Sequence, residues 1–106
     1  LLKFCAIISL LINILLLGAI FNITAIIKNE GKMPVLMKDI KFNDNTHFSF
    51  QNKSEVNMPF LSDIVRINNI IFSIGDFLII FSAIAVYLYL AKLINFSVNA
   101  YKRGVL

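Results

Sequence analysis

The chain has 106 residues, 58% of them hydrophobic, and a formal net charge of +4. That is one folding unit, and it is too apolar for a soluble domain, whose helices would each carry a polar face. Its basic residues are scattered and form no dense cluster interleaved with aromatics, which excludes a nucleic-acid surface. Its single cysteine, Cys5, excludes an internal disulfide.

The first element runs from Phe4 to Ile27, 24 residues between Lys3 and Lys28 without one charge. A bilayer core about 30 Å thick needs roughly 20 apolar residues at 1.5 Å each, so this stretch is read as transmembrane helix 1, residues 1–27. It is too long for the apolar part of a signal peptide, and no small-x-small pair ends it. Its polar residues fall on two faces. Ala6, Ser9, Asn13, Ile20 and Thr24 line one side, and Gly18 and Asn22 line another. Amides within a membrane helix are costly toward lipid and find partner helices, so two such faces call for a bundle of more than two helices.

Residues 28–69 form a polar, extramembrane segment of about 40 residues, long for a structureless loop. Pro34 is suited to a first helical position, and Val35, Leu36 and Ile40 then share a side, so 34–42 reads as a short interfacial helix. Asn43-Asp44-Asn45 ends it. His47 to Phe50 alternates polar and aromatic residues, as a short strand or a surface-lying extended chain does. Met58-Pro59-Phe60-Leu61 turns the chain back toward the bilayer.

Transmembrane helix 2 is assigned to 70–91. Its start signal is a capping box, with Ser73 as cap and Asp76 three positions on. Tyr87, Tyr89 and Lys92 supply the aromatic and basic belt at the far end, and residues 92–106 read as an interfacial, weakly amphipathic helical tail. The fold expected is therefore an all-α membrane protein of two transmembrane helices joined by a polar segment, within a larger helical bundle. Its partners are the bilayer and other transmembrane helices, supplied by a second copy, a parent chain or a partner subunit.

Two carboxylates are the candidates for chemistry. Asp76 suits the N-terminus of its helix, where its charge is favourable and its side chain can accept from the Ser73 backbone N–H. With Asp63, 13 residues earlier, it could instead form a pair with split pKa values that activates a water, as in aspartic proteases. His47, the sole histidine, with Asp44 nearby, is not a metal site, and no cofactor-binding motif occurs: there is no phosphate-binding glycine loop, nucleophile elbow or cysteine pair. Three glycosylation sequons, at Asn22, Asn52 and Asn95, are chance matches in a chain rich in Asn and Ser.

With these residues in view, the chain resembles a family of bacterial membrane proteins filed as domain of unknown function 5317. The likeness rests on Asn22 with Asn29-Glu30-Gly31-Lys32-Met33-Pro34-Val35, His47, Pro59-Phe60-Leu61-Ser62-Asp63-Ile64 and Phe72-Ser73-Ile74-Gly75-Asp76. Family members generally carry further membrane helices ahead of the first one here. The resemblance thus implies that this chain corresponds to their C-terminal part, in a bacterial inner membrane, and it brings no activity with it. A fainter likeness bears on mechanism: Leu61-Ser62-Asp63-Ile64 and Phe72-Ser73-Ile74-Gly75-Asp76 are similar to the two aspartate motifs of lipoprotein signal peptidases. The interval is shorter than in those enzymes, and no N-x-x-D-R motif occurs. The expected function is a non-enzymatic membrane module or subunit. The alternatives are an intramembrane aspartyl peptidase using Asp63 and Asp76, and a transporter or channel subunit built on Asn13 and Asp76.

Overall fold

The structure is a computed structural model that describes residues 2–38 and 40–104. Two long helices, α1 (Leu2–Lys28) and α2 (Ile74–Lys102), run antiparallel, and the chain between them folds into a small β unit. Both helices are long and apolar enough to cross a membrane. Their outer surfaces keep large apolar side chains exposed, among them Leu10, Leu16, Ile20, Phe81, Ile84 and Leu88. In water such surfaces would be buried against a partner.

The contact between the helices follows a seven-residue rhythm. On α1, Leu11, Gly18 and Ala25 are buried, and Phe4 continues the same line. On α2 the line is Gly75, Ser82 and Tyr89, of which Gly75 and Ser82 are buried. The Phe4 ring meets the Tyr89 ring edge-on at 6.2 Å, and Gly18 faces Gly75 fourteen residues on. A seven-residue repeat of small and apolar positions is what keeps one helix face against its neighbour in a left-handed pair. Ser82 can sit in this seam because its hydroxyl donates back to the carbonyls of Leu78 (2.6 Å) and Ile79 (3.1 Å).

This register staggers the helices. Gly18 lies level with the first turn of α2, so the last ten residues of α1 pass beyond it and pack on the β unit, where Ala25 joins Met33 and Leu61 in an apolar cluster. The other end of α2 extends past Phe4 in the same way, and the molecule is 63 Å long but only 26 by 20 Å across.

The β unit corrects the all-α expectation. Strand β1 (Met33–Leu36) pairs in parallel with β2 (His47–Phe50), and β3 (Val65–Ile67) pairs antiparallel with β4 (Ile70–Phe72). Single turns of 3-10 helix cover Lys53–Glu55 and Pro59–Leu61. The interfacial helix expected over 34–42 is absent among the described residues, and its first half is β1. The reason lies in the partners the backbone finds: Met33 N–H donates to Thr46 (2.9 Å), Met37 N–H to Phe50 (3.1 Å) and Leu36 N–H to Asp63 (2.9 Å). By alternation, the nitrogen of Pro34 faces the Asp63 side, where pairing is a single bridge at Val35, so its missing N–H leaves no gap in the β1–β2 ladder. The segment expected to be strand or extended, His47–Phe50, is β2. Helix 2 begins at Ile74, not at residue 70, because Ile70–Phe72 is the second strand of a hairpin turned at Asn68, whose φ is 55°. The tail assigned to 92–106 is, through Lys102, an unbroken continuation of α2.

Candidate functional site

The polar side chains gather where α2 begins. Ser73 has extended backbone (φ −90°, ψ 166°), which places its hydroxyl over the first turn of the helix. That oxygen accepts from Asp76 N–H at 3.1 Å, and one Asp76 oxygen, Oδ2, accepts from Ser73 N–H at 3.0 Å, completing the capping box read in the sequence.

The third member comes from the other helix. Gly18 and Gly75 bring the two backbones so close that the next turn of α1 lays Asn22 across the cap. Asn22 Nδ2 donates to Asp76 Oδ1 at 2.9 Å, and the Ser73 hydroxyl donates to Asn22 Oδ1 at 2.7 Å. The result is a closed ring in which both Asp76 oxygens are occupied and the Ser73 hydroxyl both donates and accepts. Ser73 is fully buried. A ring of this kind, sealed at the junction of two apolar helices, fixes their register.

Asp63 stands beside this ring under different conditions. The single bridge to β1 holds its backbone, with Asp63 N–H donating to Pro34 at 3.0 Å. Its carboxyl is buried. Oδ1 has no hydrogen-bond partner, while Oδ2 lies 3.9 Å from Nε2 of the half-exposed His47. Burial and then the neighbouring Asp76 charge push the Asp63 carboxyl up to about 6, against the opposing effect of His47. The adjacent Ser62 hydroxyl is also buried without a partner. On the exposed side, Asp44 Oδ1 accepts from Thr46 N–H (2.9 Å) and His47 N–H (2.8 Å), and these bonds hold its carboxyl below the usual range.

The two aspartates singled out by sequence are thus brought into one electrostatic neighbourhood, but in unequal roles. Asp76 is engaged as a cap and interhelix bridge, whereas Asp63 keeps one oxygen free. Among the described residues no group of three or more His, Cys, Asp or Glu side chains is placed to hold a metal ion. Asn13 is exposed on the far side of α1, and Cys5 is exposed and free.

Sequence reasoning missed a second polar device. The α1 C-terminus turns through Glu30 (φ 61°) and Gly31 (φ 87°), with Gly31 N–H reaching back to Ile26 at 2.8 Å in a Schellman-type cap. Asn29 Nδ2 donates to Ala25 (2.7 Å) and Asn57 (2.9 Å) carbonyls, its Oδ1 accepts from Asn57 N–H (2.9 Å), and Asn57 Nδ2 donates to Lys28 (2.8 Å). The Asn29-Glu30-Gly31 run was a signal for the turn, but nothing local pointed to Asn57.

The family model described as Family of unknown function (DUF5317) matches residues 8–91, most of the chain. The chain belongs to that family. Every residue of the Asn22–Ser73–Asp76 ring, together with Asp63, His47 and the Asn29–Asn57 clamp, lies within the part that matches DUF5317. No curated protein and no solved structure matches the chain.

Proposed function

We propose that this DUF5317 chain is a non-enzymatic module of a bacterial inner membrane. In this reading α1 and α2 cross the bilayer as a hairpin and display the β unit of residues 29–72 at its surface, where it meets a partner. The observation that carries the reading is the apolar exterior of both helices. Large aliphatic and aromatic side chains cover their outer surfaces, while the seam between them holds Leu11, Gly18, Gly75, Ser82 and the Asn22–Ser73–Asp76 ring. The bacterial inner membrane rests on the family resemblance and on the basic residues near the helix ends. Asp76 supports a structural role, because both its oxygens are already held by Asn22 and Ser73.

Alkaline carbonate extraction of cells expressing the full chain tests the membrane reading. The protein is expected to stay in the pellet and to be released only by detergent. Release by carbonate would overturn it. Turnover of lipoprotein precursors by the purified chain that is lost on Asp63→Asn would replace the module with the peptidase.

A further inference from the structure

The register of the two long helices fixes which residues share a depth. Phe4 lies level with Tyr89, and Gly18 with Gly75. Lys3 and Lys92 therefore mark one membrane surface, within about 3 Å of each other along the helix axis. A hydrocarbon layer about 30 Å thick, measured from there, ends on α1 near Ile23. Helix α2 begins at Ile74, about 6 Å short of that level. The strand leading into it, β4, is thus carried through the last of the apolar layer, and the β3–β4 hairpin sits where acyl chains meet headgroups.

The hairpin has the two faces that such a boundary requires. Its register pairs Ile67 with Ile70 and Val65 with Phe72 on one face, and Arg66 with Ile71 on the other. The first face is apolar and open, with Ile67 and Ile70 49% and 60% exposed. It runs on into the outer surface of α2, because the Phe72 ring packs against the exposed Phe77 ring with centroids 5.4 Å apart. On the second face a groove of about 310 Å³ lies between the hairpin and the end of β1. Leu36, Met37, Ile64 and Ile71 are among its walls, and Lys38 and Arg66 are its cations. Among the described residues the Arg66 guanidinium donates only to the Met37 sulfur, a weak acceptor 3.2 Å away, and no carboxylate lies within ion-pair distance of it.

We propose that the β3–β4 hairpin is an interfacial anchor, with Ile67 and Ile70 seated in the outermost acyl layer and Arg66 and Lys38 binding the headgroup phosphate of an anionic phospholipid. The inference rests on the membrane-spanning reading above. Three observations select lipid as the occupant. The hairpin stands at the depth of the headgroup boundary, and its apolar face is continuous with a helix surface that acyl chains already cover. A guanidinium fork matches two phosphate oxygens at once, which suits the one cation in the groove that lacks a strong acceptor. The long stems of Arg66 and Lys38 can lie along the apolar walls while their charges reach the headgroups. The outward face of α1 takes no part and stays free for the further helices of the family.

The test uses the purified full chain in liposomes of equal parts phosphatidylcholine and phosphatidylglycerol, in which one lipid or the other carries brominated chains. Carbonate extraction of the same samples scores insertion. In a Cys5→Ala background, an environment-sensitive fluorophore on Ile67→Cys should emit as in an apolar medium, and one on Asn52→Cys as in water. Bromine quenching at Ile67→Cys should report a preference for phosphatidylglycerol of about fivefold. Arg66→Gln should bring that ratio close to one, Lys38→Gln should lower it, and Arg66→Lys should keep part of it. Lys53→Gln, exposed elsewhere on the β unit, should leave it unchanged. Water-like emission at Ile67→Cys, a label that neither brominated lipid quenches, equal quenching by both, or a loss in Lys53→Gln as large as in Arg66→Gln would each overturn the anchor while leaving the membrane reading intact. Failure to insert would defeat the membrane reading and the anchor with it.

Discussion

Asn22 and Asp76 stand 54 positions apart in the chain and meet in a 2.9 Å hydrogen bond at the junction of the two helices. The bond turns a local helix cap into a long-range tie. A cap alone stabilises the start of α2; a cap whose acid and hydroxyl are both held by the opposite helix also sets where α2 docks.

The ring predicts costs above those of an ordinary cap. Ser73→Ala removes the acceptor for Asp76 N–H and also leaves Asn22 Oδ1 without its donor, so the loss should be about 2 kcal/mol, where an isolated cap is worth about 1. Asn22→Leu strands both an Asp76 oxygen and the Ser73 hydroxyl, and should cost about 2–3 kcal/mol. The two losses should not add, because each variant breaks the same bond. Unfolding in mild detergent, run as a double-mutant cycle, measures the shortfall. Full additivity would show that the ring does not act as a unit.

The glycine pair makes a sharper steric prediction. A Cβ on Gly18 would lie 2.7 Å from the Gly75 carbonyl oxygen, and one on Gly75 would collide first with the Asn22 amide and also lie 2.6 Å from the Gly18 carbonyl oxygen. The two carbonyls are backbone and cannot swing aside, and the Asn22 amide is held in the ring. Gly18→Ala and Gly75→Ala should each destabilise by about 1–3 kcal/mol, although alanine is the better helix former. Gly31→Ala separates the two causes of glycine dependence: nothing lies within 4 Å of a Cβ there, and any loss comes from its φ of 87° alone. Thermal unfolding of the three variants is the measurement.

The elements that were legible from sequence are those whose signals are local. Two apolar runs, the second broken only by Asp76, announced the helices, and Ser73 with Asp76 three positions on announced the cap. Those inferences needed only neighbouring residues. The β unit was different. The pattern at Val35, Leu36 and Ile40 fits a helical turn, and only the partners supplied by Thr46, Phe50 and Asp63 convert Met33–Leu36 into a strand. A parallel pairing across a ten-residue connection leaves no local trace. The opposed faces of Asn13 and Asn22 could be placed by helical geometry, but the closeness of Asn22 to Ser73 required the register set by Gly18 and Gly75. The seven-residue spacing of Gly18 with Ala25, and of Gly75 with Ser82, was the available signal for that register.

Membrane orientation can be predicted from charge and checked at two exposed positions. Lys3, Lys92, Lys102 and Arg103 lie toward the chain ends, against Lys28, Lys32, Lys38, Lys41, Lys53 and Arg66 toward the β unit. The excess favours the β unit in the cytoplasm and the chain ends outside. With Cys5 replaced, Gly104→Cys should react with an impermeant thiol reagent in intact cells and Asn52→Cys should react only after permeabilisation. The reverse pattern would invert the orientation.

The Asp63 carboxyl predicts a pH dependence with a definite sign. Its proton is held up to about 6 in the fold, against 3.8 for a free aspartate, so the folded state binds the proton more tightly than the unfolded state. Stability from this group is therefore fully present below about pH 3.8 and is lost as pH rises toward 6. Asp63→Asn, which cannot ionise, should flatten this part of the stability profile and make the protein more stable than the parent at pH 7. His47 opposes the shift from 3.9 Å away, so His47→Ala should move the falling limb to higher pH and deepen it. Unfolding in detergent between pH 4 and 8 for the parent and both variants measures these slopes. An Asp63→Asn profile as steep as the parent's would place the titrating group elsewhere.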